Sequence, residues 1–252
     1  MLGADLLRVA LGCGLGLIAG SFLGAIVTRW PRSESVMRGR SACDACGRTL
    51  GAIDLIPLLS ALRTRGRCRT CGARIDPAHM IMELGAALIG GFSAWALPLP
   101  AAALVAVALW ILLALAVLDV RHFWLPDALT LPLAILGLTL GDWLVPAPFA
   151  DRMIGAAIGY IGLFLLAMSY RRLRGRDGLG LGDAKLLGAI GAWLGWQLLP
   201  VVLLLASVGG LIWAVILRLK GHALSGNMRL PFGTFLCLAA PLAARLAWTI
   251  AP

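Results

Sequence analysis

Trp110-Ile111-Leu112-Leu113-Ala114-Leu115-Ala116-Val117-Leu118-Asp119 joins an unbroken apolar run directly to a carboxylate. Followed back to Ala101, the run carries no charge and is long enough to cross a hydrocarbon core about 30 Å thick as a helix. An ionisable group at the end of such a run is costly and by default marks a functional site or a buried pair. The same texture recurs along the chain, in Leu6–Thr28, Met80–Leu97, Leu129–Leu144, Met153–Ser169, Leu186–Leu199, Val201–Leu217 and Phe232–Ile250. The sequence therefore predicts an all-α polytopic membrane protein with about eight transmembrane helices.

Composition agrees. The 252 residues are 60% hydrophobic and 13% charged, against about a quarter charged in soluble domains. The first run could be mistaken for a secretory signal. Its early basic residue Arg8 is offset by Asp5 and no small-residue cleavage site follows, so it is expected to stay in the mature protein.

The formal net charge of +10 raises the question of nucleic acid, and placement answers it. If the first span enters from outside, 19 of the 22 Lys and Arg fall on one face, opposite only Arg8, Arg152 and Arg245. The positive-inside rule makes that face cytosolic. The bilayer accounts for the basic charge and no nucleic-acid partner is expected.

Between the first two spans, residues 31–78 form a polar, Arg-rich stretch holding four of the six cysteines. Cys43-Asp44-Ala45-Cys46 and Cys68-Arg69-Thr70-Cys71 are two C-x-x-C pairs at nearly zinc-ribbon spacing. Each pair can turn both thiolates to one metal, and two pairs close a tetrahedral site with no open position, so the expected zinc is structural. Gly47 and Gly72, directly after the knuckles, suit tight turns. Disulfides or a redox dithiol are the alternatives, and a cytosolic location disfavours the first. A module this small needs such a staple. The expected organisation is a first transmembrane helix over 1–30, a cytosolic four-cysteine, zinc-ribbon-like module over 31–78, and a seven-helix membrane bundle over 79–252. Cys13 and Cys237 lie inside spans and read as packing residues.

Asp183 lies in Gly178-Leu179-Gly180-Leu181-Gly182-Asp183, just before the sixth span. Counting spans brings Asp119 and Asp183 to the same side of the membrane at similar depth. Two carboxylates held close share a proton and supply an acid and a base together, the division of labour of aspartic proteases. Alternating glycines remove side chains there and allow close approach by a helix or an extended substrate. They follow an Arg run rather than a strand, so a dinucleotide loop is excluded. Asp127, after Pro126, reads as a cap or interfacial residue, and Lys185 as a lipid-headgroup anchor.

Together these residues resemble the type IV prepilin peptidases, membrane aspartyl proteases of the GxGD class. The resemblance rests on Gly20-Ser21-Phe22-Leu23 with Arg29-Trp30-Pro31, and on the double C-x-x-C around Ile56-Pro57-Leu58-Leu59-Ser60. It continues in Leu118-Asp119 with Pro126-Asp127-Ala128-Leu129, in Gly178 to Leu186, and in Leu230-Pro231-Phe232-Gly233-Thr234-Phe235. It implies that Asp119 and Asp183 are the catalytic pair, cutting the basic leader of prepilins or pseudopilins at a Gly-Phe type bond on the cytosolic face of a bacterial inner membrane. It also implies N-methylation of the new N-terminus from S-adenosylmethionine, with Glu83 as the candidate cofactor-binding residue. The chain departs from the family's pattern twice: Gly24 stands where Asn is usual, and Ala78-His79-Met80 where Arg-Tyr-Pro is common. His79 by itself reads as an interfacial histidine. Two other readings stay open, a zinc-dependent membrane carrier or scaffold, and a GxGD protease acting on other membrane proteins.

Overall fold

The computed structural model describes residues 2–37, 41–175, 180–221 and 229–250. Arg38, Arg40, Arg176, Gly178 and Leu179, used above, lie outside them. Among the described residues there is no β-strand. The helices are α1 (Leu2–Arg29), α2 (Leu59–Thr64), α3 (Pro77–Ala96), α4 (Ala101–His122), α5 (Asp127–Leu140), α6 (Phe149–Arg174), α7 (Leu181–Leu194), α8 (Leu199–Leu219) and α9 (Phe232–Ile250). Each predicted span overlaps one of these, although Leu186–Leu199 runs past the end of α7 to the first residue of α8. Among the described residues four stretches, rather than the eight expected, are by themselves long and apolar enough to cross a membrane: Gly3–Arg32, Ala101–His122, Phe149–Arg174 and Trp196–Leu219.

The chain forms two compact units, Met1–Ala114 and Leu115–Pro252. The boundary falls inside α4, so it divides the packing rather than the connectivity.

In the first unit α1 lies along α3, and small residues set the distance. Gly12 abuts Gly90, Gly16 abuts Ala86, and a Cβ on Gly20 would stand 2.5 Å from the carbonyl oxygen of Met82. Lipid gives no hydrophobic drive to pack helices, so close backbone approach through small residues does that work. The large residues Leu7, Leu11, Leu15, Ile18 and Phe22 are exposed instead. This inversion of the soluble pattern identifies a membrane helix. Trp110 of α4 donates its indole N–H to the Ala86 carbonyl at 2.9 Å.

In the second unit α7 is the core. Every residue from Asp183 to Leu194 except Lys185 is buried. With 14 residues it extends only about 21 Å, which explains why the sixth apolar run is the shortest. Gly155 and Gly159 of α6 bring that helix onto Gly191 and Leu187, and Trp193 donates to the Leu133 carbonyl of α5 at 2.7 Å. At the far end from Asp183, Arg152 is 2% exposed and pairs with Asp142 at 3.1 Å.

Candidate active site

α4 runs past Leu118 to His122, so Asp119 sits within its last turns rather than beyond its end. Phe123, at φ 52, terminates the helix in the left-handed position usually given to glycine. The chain then turns through Leu125 into α5. Asp183 is in the first turn of α7, and its Oδ2 accepts the Gly180 N–H at 3.2 Å, tying the helix start to its own third residue.

A third element completes the group. At the start of α9 the N–H groups have no partner within the helix and point outward, which suits an anion. The Thr234 N–H donates to Asp119 Oδ2 at 2.7 Å, and the Thr234 hydroxyl lies 3.1 Å from the same oxygen. That hydroxyl also lies 3.0 Å from the Ala116 carbonyl, and its one proton serves one acceptor at a time. Gly233 lies between the two acids. A Cβ there would be 3.0 Å from Asp183 Oδ1, 3.1 Å from Asp119 Cγ and 2.8 Å from Leu125 Cδ1. The two carboxyl groups therefore lie no further apart than the first two of these lengths laid end to end. Asp119 is 5% exposed and Asp183 7%. The apolar Leu125 also faces Gly182, whose Cβ would stand 3.0 Å from Leu125 Cβ. The close approach expected at the Gly180–Asp183 glycines is thus made by Leu125.

Lys185 does point away from Asp183, but it is not a free headgroup anchor. It holds Asp127 through both carboxylate oxygens, at 2.7 and 2.9 Å, and so ties α7 to the start of α5.

In the first unit the four cysteines come together, with all four sulfurs within 4.8 Å of one another and Cys43 Sγ 3.9 Å from Cys71 Sγ. Tetrahedral zinc with Zn–S bonds of about 2.3 Å sets sulfurs about 3.8 Å apart, so the donor set fits that metal. The two knuckles repeat one geometry. Cys43 and Cys68 donate their N–H groups to the carbonyls of Arg48 and Ala73, while Gly47 and Gly72, at φ 68 and φ 71, donate back to Cys43 and Cys68. The N–H groups of Cys71 and Thr70 bring the Cys68 thiol down to about 6 against the opposing cost of burial. Cys71, against the Ala73 N–H, is pushed up to about 11 by burial and by the thiols of Cys46, Cys68 and Cys43, as expected where neighbouring thiols share protons. The ribbon itself is reduced to two isolated bridges, Ala42 with Thr49 and Arg67 with Arg74. A salt bridge that the sequence reading missed joins the knuckles. Asp54 receives Arg48 at 2.8 Å and Arg69 at 3.2 Å.

Glu83 is 8% exposed and accepts the Leu58 N–H at 2.7 Å, so its partner is a backbone amide of the module. It lines a cavity of about 230 Å³ between the module and the ends of α1 and α3, together with Ser21, Thr28, Asp76 and His79.

Two family models match the chain. One, the type IV leader peptidase family, covers residues 106–215, and the other, the bacterial peptidase A24 N-terminal domain, covers residues 15–97. A protein of Pseudomonas putida named prepilin leader peptidase/N-methyltransferase is 36% identical over 92% of this chain and 88% of its own. This chain belongs to the type IV leader peptidase family. Leader peptidase relatives bearing the same name occur in Pseudomonas aeruginosa, at 35% identity over 93% of this chain and 88% of theirs, and in Aeromonas salmonicida, at 42% over 85% and 73%. No solved structure matches the chain. The leader peptidase match contains Asp119 and Asp183 but stops before Gly233 and Thr234, whereas the N-terminal match contains the four cysteines, His79 and Glu83.

Proposed function

We propose that this chain is a leader peptidase of the bacterial inner membrane that removes the basic leader of prepilins or pseudopilins on the cytosolic side and then methylates the new N-terminal amine. The observation carrying the first activity is the approach of Asp119 and Asp183 on either side of the Gly233 backbone. Two buried carboxyls so near cannot both ionise easily, and one proton is shared between them. Asp119 has the Thr234 donors on one oxygen, so we assign it the charge and Asp183 the proton. Asp119 then accepts a proton from water as the water attacks the scissile carbonyl, expected between Gly and Phe. Asp183 gives its proton to the carbonyl oxygen. Collapse reverses both transfers: Asp119 protonates the departing amine, and Asp183 regains its proton from the hydroxyl that becomes the new carbonyl.

In this reading α1 and α3 to α9 are the eight spans. The short α5 is extended by the tight turn Gly141–Trp143, whereas α7 is capped by Gly195 and the turn Trp196–Leu198 begins the α8 span. The Arg-rich loops are cytosolic. Zinc on Cys43, Cys46, Cys68 and Cys71 would hold the module together without touching substrate. The cavity beside Glu83 is the candidate site for S-adenosylmethionine.

A carrier would need polar groups between Asp183 and the buried Arg152. The buried side chains of α7 over that distance include Leu186, Leu187 and Ile190, which supports the peptidase instead.

The test is cleavage of a purified prepilin by the wild type, Asp119→Asn and Asp183→Asn. Each variant is expected to lose cleavage while still inserting and retaining its helical content. Persistent cleavage by either one removes the pair from the mechanism.

A further inference from the structure

Helix α2, the one helix of the cysteine module among the described residues, is turned inside out. Its polar Ser60 and Thr64, one turn apart, line the cavity, and the Thr64 hydroxyl donates to the Ser60 carbonyl at 2.8 Å. Its leucines stand on another face, Leu59 56% exposed and Leu62 72%. Ile53 and Ile56, in the turns that lead into the helix, are exposed as well. A module surrounded by water would bury these side chains and show the hydroxyls instead. Such a concentration of exposed aliphatic residues marks a surface that something covers. Arg63 and Arg65 are exposed beside them.

Contacts between the two legs give the level at which this face stands. A Cβ on Gly20 would lie 2.6 Å from Glu83 Cα, and one on Gly24 would lie 3.3 Å from His79 Cα, so Glu83 is level with Gly20. Gly20 precedes Arg29, the end of α1, by nine residues, and nine residues of helix rise about 13 Å. Glu83 Oε2 accepts the Leu58 N–H at 2.7 Å, and α2 begins at the next residue. Even with the reach of the glutamate side chain added, Leu58 stands nearer the apolar part of α1 than Arg29 does. Leu58 is also kept at φ 58, a conformation that leucine adopts only under constraint, and the Glu83 bond is one such constraint. On the legs themselves Phe22, Met80 and Ile81, at this same level, are exposed apolar side chains.

We infer that α2 lies in the cytosolic surface of the bilayer, with Leu59 and Leu62 reaching the acyl chains and Arg63 and Arg65 on the phosphates of anionic lipids. The inference rests on the proposed reading of α1 and α3 as spans with the Arg-rich loops cytosolic. It goes beyond that reading by placing one wall of the module in the membrane. The occupant of the apolar face is lipid because the face stands at the level where the legs' own apolar surface begins. Aliphatic residues beside arginines are the composition of a helix lying in an interface, where the arginine stems stay with the leucines and their charged ends reach the headgroups. The module then has two ties to the spans, the Glu83 bond and the bilayer. Both hold its cavity at the membrane surface, where a substrate anchored by an apolar helix would present its cut end.

The test uses the full-length protein in nanodiscs of mixed phosphatidylcholine and phosphatidylglycerol. The photoreactive residue p-benzoylphenylalanine is placed singly at Leu59, Leu62, Thr70 or Leu15, and adducts are read by mass spectrometry after irradiation. Leu15, exposed in the middle of α1, reports lipid, and Thr70, exposed between Cys68 and Cys71, reports water. Leu59 and Leu62 are expected to give lipid adducts in yields comparable to Leu15, and Thr70 none. Phosphatidylglycerol should be enriched in the adducts at Leu59 and Leu62 over its share of the bilayer. Combining Arg63→Gln with Arg65→Gln should abolish that enrichment while the adducts persist. Lipid adducts at Leu15 but none at Leu59 and Leu62 would overturn the inference and leave the spans standing. Adducts of those two positions with an added prepilin or a second copy of the chain, in place of lipid, would overturn it too. Enrichment unchanged in the double variant would overturn the role given to the arginines. Absence of lipid adducts at Leu15 as well would remove the reading of α1 as a span, and this inference with it.

Discussion

Thr234 holds Asp119 by its backbone: the N–H at the start of α9 reaches Asp119 Oδ2 over 2.7 Å, and the hydroxyl of the same residue lies 3.1 Å from that oxygen. A carboxylate with a fixed donor on one oxygen has one defined orientation. In the proposed mechanism the other oxygen is the one that faces the reacting water.

Replacing Thr234 separates the two donors. Thr234→Val keeps the N–H and the shape but removes the hydroxyl. Hydrogen bonds to charged groups contribute about 1.5–3 kcal/mol, so kcat for leader cleavage should fall about 10- to 100-fold with KM nearly unchanged. Thr234→Ser should restore most of it. An unchanged kcat in the valine variant would show that the hydroxyl serves only the Ala116 carbonyl.

Gly233 has no room for a side chain. Gly233→Ala puts a methyl group 2.8 Å from Leu125 Cδ1 and about as close to both carboxyls. Cleavage should fall more than about 100-fold, consistent with the cost of displacing a positioned catalytic group. Adding Leu125→Ala frees one of the three contacts, yet the carboxyls remain crowded, so the double variant should stay inactive. Recovery would show that Leu125, and not the acids, sets the limit.

Asp54 should govern how tightly the knuckles keep the proposed zinc. In Asp54→Asn, zinc should pass to a colorimetric chelator several-fold faster than in the wild type, while leader cleavage persists. The Gly51 N–H first, with Arg48 and Arg69, holds the Asp54 carboxyl below its ordinary value against burial. Its folded value therefore lies below its unfolded one. The salt bridge is at full strength above pH about 4 and is lost as the pH falls through the folded value. Equal release rates at neutral pH would show that the thiolates alone close the module.

The Lys185–Asp127 pair should matter little by itself. Both side chains are half exposed, and such pairs contribute about 0–1 kcal/mol. Lys185→Met should lower thermal stability only slightly, with cleavage within about threefold of the wild type. A much larger loss would mean that the pair aligns α7 for catalysis.

The helices were readable because each apolar run is a run in one dimension, and the bilayer leaves few alternatives to a helix. The cysteine knuckles were readable for a related reason, since spacing and the following glycines are local. What escaped were relations between distant segments. Thr234 contributes through a main-chain N–H, which no residue type announces. Lys185 was judged by its distance along its own helix, whereas its partner Asp127 comes from α5. Asp54 was hidden as one acid among many arginines. Gly24 and His79 were both noticed, but as separate oddities, since only the register of α1 against α3 makes them neighbours. That register was signalled: Gly12, Gly16, Gly20 and Gly24 recur every fourth residue in the first span, the spacing that lets two membrane helices touch.

The glycine seam of α1 and α3 also bears on how the cysteine insert is mounted. Because the two legs meet main chain to main chain from Gly12 to Gly24, their alignment is set chiefly by their own seam, with the Leu58 N–H on Glu83 as a tie to the segment that loops between them. That segment behaves as a cassette clipped to a closed hairpin. Shortening it to a bare tether should leave both legs standing in register, so that whatever the insert does can be gained, traded or discarded without rebuilding the part that sits in lipid.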